Sequence, residues 1–96
     1  MPSETCIRRA HVLVSGDVQG VGYRAFAWSA ASRRGLFGGV RNLSDGRVEV
    51  EVEGDQRTVE AFVEVLKTGP PMARVKDVQV TWESPTGREV DFQVWD

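Results

Sequence analysis

Ninety-six residues with a formal net charge of −2 suffice for one hydrophobic core and not for two. Hydrophobic residues at 41% and charged residues at 27% are ordinary for a soluble globular domain, and the slight acidic excess argues against a general nucleic-acid binder, which presents a basic face. Cys6 is the only cysteine, so no intramolecular disulfide forms, and no stretch approaches the roughly 20 apolar residues of a membrane span.

Residues 1–9 carry no apolar signal core and are expected to be a flexible leader ahead of a domain spanning 10–96 in a cytoplasmic protein. Arg8-Arg9 and Arg33-Arg34, the basic pairs, are expected as solvated ends of a strand and a helix. From Ala10 to Ser15 the chain alternates as a strand, with His11 on an exposed face, and stops at Gly16. From Tyr23 the apolar spacing changes to Tyr23, Phe26, Ala27, Ala30 and Ala31, which predicts a helix over about 22–34 closed by Gly35. Trp28 falls off that stripe and is assigned no ligand.

A second strand is expected over Leu36 to Leu43, weakened by Gly38-Gly39, and Ser44-Asp45-Gly46 has the chemistry of a hairpin turn. Arg47 to Glu53 follows in unbroken alternation, Val48, Val50 and Val52 against Glu49, Glu51 and Glu53, and the acidic side is expected to be a solvated sheet surface. Asp55 is positioned to cap a helix whose core stripe is Val59, Phe62, Val63 and Leu66, ended by Gly69-Pro70-Pro71. Val78, Val80 and Trp82 mark a further strand, and Val90, Phe92 and Val94 a short last one, with Trp95 on the opposite parity. The order β-α-β-β-α-β with a short extra strand predicts an α+β fold, a ferredoxin-like two-layer sandwich with an antiparallel sheet.

The stretch with chemistry is Gly16-Asp17-Val18-Gln19-Gly20-Val21-Gly22-Tyr23-Arg24, between the first strand and the first helix. Glycines allow successive backbone N–H groups to converge, the helix start adds its unpaired N–H groups, and Arg24 adds a planar cationic fork. On spacing alone this is either an anion cradle or an ordinary tight turn, since the phosphate-binding and dinucleotide-binding glycine motifs do not fit. No His, Cys or carboxylate cluster has metal-ligand spacing, so neither a metal nor another cofactor is expected.

Gly16-x-Val18-Gln19-Gly20-Val21-x-Tyr23-Arg24, followed by Gly39-Val40-Arg41-Asn42, Gly46-x-Val48 and Gly54, resembles the two signature segments of the acylphosphatase family. The resemblance runs from about His11 to the C-terminus. It implies a monomeric, metal-independent hydrolase that cleaves the carboxyl-phosphate bond of small acyl phosphates, with no nucleic-acid or membrane partner. It further implies that Arg24 and Asn42 are catalytic, Asn42 by positioning the attacking water. Gln19, Gly20, Val21, Gly22, Tyr23 and Arg24 would form the phosphate cradle. Taken singly, Arg24 could equally pair with a surface carboxylate and Asn42 could cap the turn that follows it. Gly39 departs from the pattern, which has an aromatic residue there; either the loop is looser or another aromatic such as Phe37 fills the space. The alternative to an enzyme is a phosphate-ligand or RNA-binding module on the same fold, but an RNA reader would need exposed aromatic and basic residues where this chain has Glu49, Glu51 and Glu53.

Overall fold

The computed structural model describes residues 6–95. Its elements in chain order are β1 (Ile7–Asp17), α1 (Tyr23–Arg33), β2 (Phe37–Asn42), β3 (Val48–Asp55), α2 (Gln56–Thr68), β4 (Arg74–Glu83) and β5 (Gln93–Val94). The strands form one sheet in the order β4-β1-β3-β2-β5. Pairing is antiparallel from β4 through β2, but β5 runs parallel to β2, so the sheet is mixed where a wholly antiparallel one was expected. The last strand arrives after a long irregular segment instead of a hairpin, which frees it from the antiparallel direction that a tight turn imposes.

One sheet face is covered by the two helices. Val12 and Val14 of β1, Val40 of β2 and Val48, Val50 and Val52 of β3 are fully buried against Ala27, Ala30 and Ala31 of α1 and Val59, Phe62 and Leu66 of α2. The period of two in the strands and of 3.6 in α2 deliver the same core by different geometry. Alanines on α1 add little bulk and let that helix lie close to the sheet. Asp55 caps α2 as expected, accepting from the Thr58 N–H at 3.3 Å.

The other sheet face differs from expectation. The β3 carboxylates are not simply solvated: Glu49 pairs with His11 and Arg41, Glu51 with Arg9, and Glu53 is 2% exposed. β3 lies between β1 and β2, which place Arg9, His11 and Arg41 beside it, so its acids find partners across the strands. Glu53 accepts hydrogen bonds from Arg9, from the Thr86 N–H and hydroxyl and from the Gly87 N–H, which straps the 84–91 segment onto the sheet. Arg9 is thereby largely covered and paired, not a solvated strand end. The strand also begins at Ile7 instead of Ala10, with Ile7, Arg8 and Arg9 in register with Asp55, Gly54 and Glu53; of the rest of the expected leader, Cys6 is exposed and residues 1–5 lie outside the described residues.

Gly39 points to this outer face, where a β-carbon would overlap the Trp95 indole. Trp95 also donates its N–H to the Val40 carbonyl at 2.7 Å. The aromatic next to Gly39 therefore comes from the C-terminal segment, not from Phe37.

Candidate active site

At the end of β1 the sheet register shifts between Ser15 and Gly16. A β-carbon at Gly16 would run into the Arg74 carbonyl, so only glycine allows β4 to approach here. The chain then turns through Val18 to Gly22. Gly20 and Gly22 have φ of 74° and 81°, in the left-handed region, yet a β-carbon on either would meet nothing within 4 Å. These two glycines serve backbone direction and an open surface, not internal packing.

Gly22 is also the N-cap of α1, with no side chain to accept a hydrogen bond and no acidic residue in the first turn. The first turn bond runs from the Phe26 N–H to the Gly22 carbonyl at 3.0 Å. The N–H groups of Tyr23, Arg24 and Ala25 precede it and find no acceptor among the described residues. They lie at the positive end of the helix dipole.

Gln19 ties this loop to the β2–β3 turn, its side-chain amide donating to the carbonyls of Leu43 at 2.7 Å and Arg47 at 3.0 Å. That bridge holds the glycine loop beside the end of β2, where Asn42 stands. Arg24, Asn42, Gly20 and Gly22 line one pocket of about 410 Å³, together with Val18, Tyr23, Ala25 and Val94. Gln19 and Val21 are not on its wall: Gln19 braces the loop, and Val21 packs against the core. Tyr23 directs its side chain inward, where the buried hydroxyl donates to the Leu66 carbonyl at 2.6 Å and burial pushes the phenol well above its ordinary pKa. Only the Tyr23 backbone is free to meet a guest.

Both plain alternatives for the signature pair fail on geometry. Arg24 makes no ion pair among the described residues. Asn42 does not bond the following turn, which is closed by Asp45 accepting from the Arg47 N–H at 3.0 Å. Instead the Asn42 amide oxygen is buried and has no hydrogen-bond partner. A buried acceptor left without a donor costs about 1–3 kcal/mol, so a native structure keeps one for a reason. Among the described residues no three His, Cys, Asp or Glu side chains gather as a metal site would require.

Sequence reasoning did not find Val18, Ala25 and Val94 on the pocket wall. Ala25 was within reach as a first-turn residue of the predicted helix, whereas Val94 arrives only through the parallel pairing of β5 with β2.

The chain has known counterparts. A family model described as Acylphosphatase matches residues 10–94. The chain is 53% identical to an acylphosphatase of Anaeromyxobacter sp. over 88 residues, covering 92% of this chain and 95% of the relative. It is 50% identical to that of Roseiflexus sp. over 86 residues, covering 90% and 92%. The crystal structure of acylphosphatase from Bacillus subtilis superimposes with a TM-score of 0.90 at 37% identity, covering 93% of this chain and 99% of that one. With a matching family model across nearly the whole fold and relatives of the same length at half identity, the chain belongs to the acylphosphatase family and is an enzyme that hydrolyses acyl phosphates.

Proposed function

We propose that the Arg24–Asn42 pocket is the catalytic centre and that it works without a metal ion. The observation that carries this reading is the buried, unpartnered oxygen of Asn42, a residue that lines the same pocket as an unpaired arginine at a helix start with three free N–H groups. Cationic and N–H donors select a phosphate; a lone acceptor beside them selects a donor that must approach it, which is water.

The phosphate oxygens accept from the loop and first-turn N–H groups and from the Arg24 guanidinium, whose fork matches two oxygens at once. Phosphoryl transfer through a loose transition state concentrates charge on the equatorial oxygens, and these donors neutralise it without moving. Asn42 accepts a hydrogen bond from the attacking water and fixes its line of approach. A new P–O bond forms to the water oxygen as the bond from phosphorus to the acyl oxygen breaks, its electron pair leaving on the carboxylate. The water protons end on phosphate and solvent. A carboxylate leaving group has a conjugate acid with pKa near 4, so no general acid is needed.

The test is steady-state hydrolysis of benzoyl phosphate in the presence of a chelator. Arg24→Ala should lower kcat/KM by about 10²-fold or more, the loss of one or two charge-assisted hydrogen bonds. Arg24→Lys keeps the charge without the fork and should rescue only in part. Asn42→Ala should lower kcat by about 10²-fold while inhibition by product phosphate stays as it was. Full turnover in Arg24→Ala, or weakened phosphate inhibition at preserved kcat in Asn42→Ala, would overturn these roles.

A further inference from the structure

The pocket has more wall than a phosphate and a water require. Val18, Ala25 and Val94 line it beside the polar groups and offer an anion nothing. A second groove, of about 450 Å³, is lined by Trp28, Ser32, Leu36, Phe37, Asp91 and Phe92. The same three elements build both. Helix α1 contributes Arg24 and Ala25 to the first and Trp28 and Ser32 to the second, and β2 contributes Asn42 and then Phe37. The C-terminal segment contributes Val94 and then Phe92.

Along β2 the two are five residues apart, about 16.5 Å from Asn42 to Phe37, but along α1 and the C-terminal segment the steps are short. One helical turn, about 5.4 Å, separates Arg24 from Trp28. Two strand residues, about 6.6 Å, separate Val94 from Phe92. Phe92 is buried against Phe62 and supplies a fixed apolar floor. Trp28 is 47% exposed and Val94 44% exposed, so both present to water apolar surface that core packing does not use. A large aromatic kept half-open one turn from a phosphate-selecting arginine is placed to meet whatever the phosphate is attached to.

We infer that the groove between α1 and the segment leading into β5 is the acyl subsite of this enzyme, taking apolar acyl groups, aryl above all, with Trp28 as its wall and Phe92 as its floor. The inference rests on the placement of phosphate and water at Arg24 and Asn42. An acyl group lying over Val94 toward Trp28 exchanges water for apolar contact on both sides, and this binding is independent of the phosphate contacts. Acetyl has one methyl group to bury and benzoyl a phenyl ring, so an apolar groove favours benzoyl. Discrimination between the two acyl groups is thus assigned to residues that touch no reacting atom.

The experiment compares kcat/KM for benzoyl phosphate with that for acetyl phosphate, read as a ratio, in wild type, Trp28→Ala, Ser32→Trp, Trp82→Ala and Arg24→Ala. Trp28→Ala removes the wall and should lower the ratio about five- to tenfold, less than a fully enclosed pocket would discriminate. Ser32 is exposed, so Ser32→Trp fills the groove without disturbing the core and should lower the ratio as well. Trp82 lies on β4 at the opposite sheet edge, and its removal should leave the ratio at the wild-type value. A ratio unchanged in both Trp28→Ala and Ser32→Trp, with acetyl phosphate turnover still dependent on Arg24, would overturn the acyl subsite and leave the catalytic centre standing. Acetyl phosphate turnover that survives Arg24→Ala would overturn the catalytic centre and the subsite with it.

Discussion

Helix α2 starts on Asp55, whose carboxylate accepts from the Thr58 N–H at 3.3 Å, whereas α1 starts on Gly22, which has no side chain to offer and no acidic neighbour in its first turn. The strap between β4 and β5 repeats the α2 solution, with Glu53 accepting from the N–H groups of Thr86 and Gly87. In both places exposed backbone donors are closed by a carboxylate of the chain itself. At α1 they are left open, an arginine is added, and no acid is supplied to neutralise it. A helix that takes glycine in place of a capping side chain gives up about 0.3 kcal/mol of stability. The difference teaches where this molecule holds itself together and where it keeps a site for something else.

The largest effect on stability is expected where the self-capping is most buried. Burial opposes ionisation of Glu53, but the hydrogen bonds from Thr86, Gly87 and Arg9 outweigh it and hold the carboxyl below its ordinary value. A depressed native pKa means that this carboxylate stabilises the fold above the ordinary glutamate pKa, about 4.3, and that the contribution is lost as pH falls below that through the native value. Glu53→Gln should cost about 3 kcal/mol at pH 7, because it leaves Arg9 short of a partner in a covered place. The urea midpoints of variant and wild type should lie closer together at pH 3 than at pH 7, as the wild-type carboxyl begins to take up its proton. A gap of equal size at both pH values would show that shape, not charge, holds the strap.

The comparison can also be inverted by giving α1 the acid it lacks. Ala25 is exposed, lines the pocket and is the third residue of the helix, the place from which a glutamate reaches back to free N–H groups. Ala25→Glu should stabilise the protein by about 0.5 kcal/mol and lower kcat/KM for acyl phosphates by about 30-fold, the two effects having opposite sign. Ala25→Gln, of the same size without the charge, should keep most of the activity. Product inhibition by phosphate reports the cause directly, and inhibition undiminished in Ala25→Glu would mean that the phosphate does not lie at the α1 start.

Much of this was legible in the sequence because the responsible signals are local. Valines at 48, 50 and 52 and the stripe Val59, Phe62, Val63, Leu66 announce their buried faces through period alone, and all seven are in the core. Gly20, Gly22 and Arg24 announce a loop with convergent donors, and the structure places them on the pocket with Asn42. What was illegible depends on partners distant in sequence. Alternation tells which way Glu53 points but not that Thr86 and Gly87 will fold over it. Parity puts Trp95 on the outer face but not against Gly39, and nothing short-range says that β5 will run parallel to β2 and bring Val94 to the pocket. Trp28, off the helical stripe, has no periodic signal at all; its meaning depends on the groove that other segments build beside it.

The smallest effect sharpens the same contrast from the other end. Asp55 closes the start of α2 on the far side of β3 from the glycine loop, and neither Asp55 nor Thr58 lines the Arg24–Asn42 pocket. Asp55→Ala removes the carboxylate that accepts from the Thr58 N–H and hydroxyl, at 3.3 and 3.4 Å, and should cost about 1 kcal/mol in a urea titration. Its kcat/KM for benzoyl phosphate should equal that of wild type at temperatures where both are folded. Asp55→Asn keeps an acceptor and should lose only part of the stability. A helix start whose repair or damage moves stability alone, set beside one where an added acid moves activity and stability in opposite directions, separates capping from binding within a single chain. Loss of activity in folded Asp55→Ala would break that separation and make the two helix starts one mechanical unit.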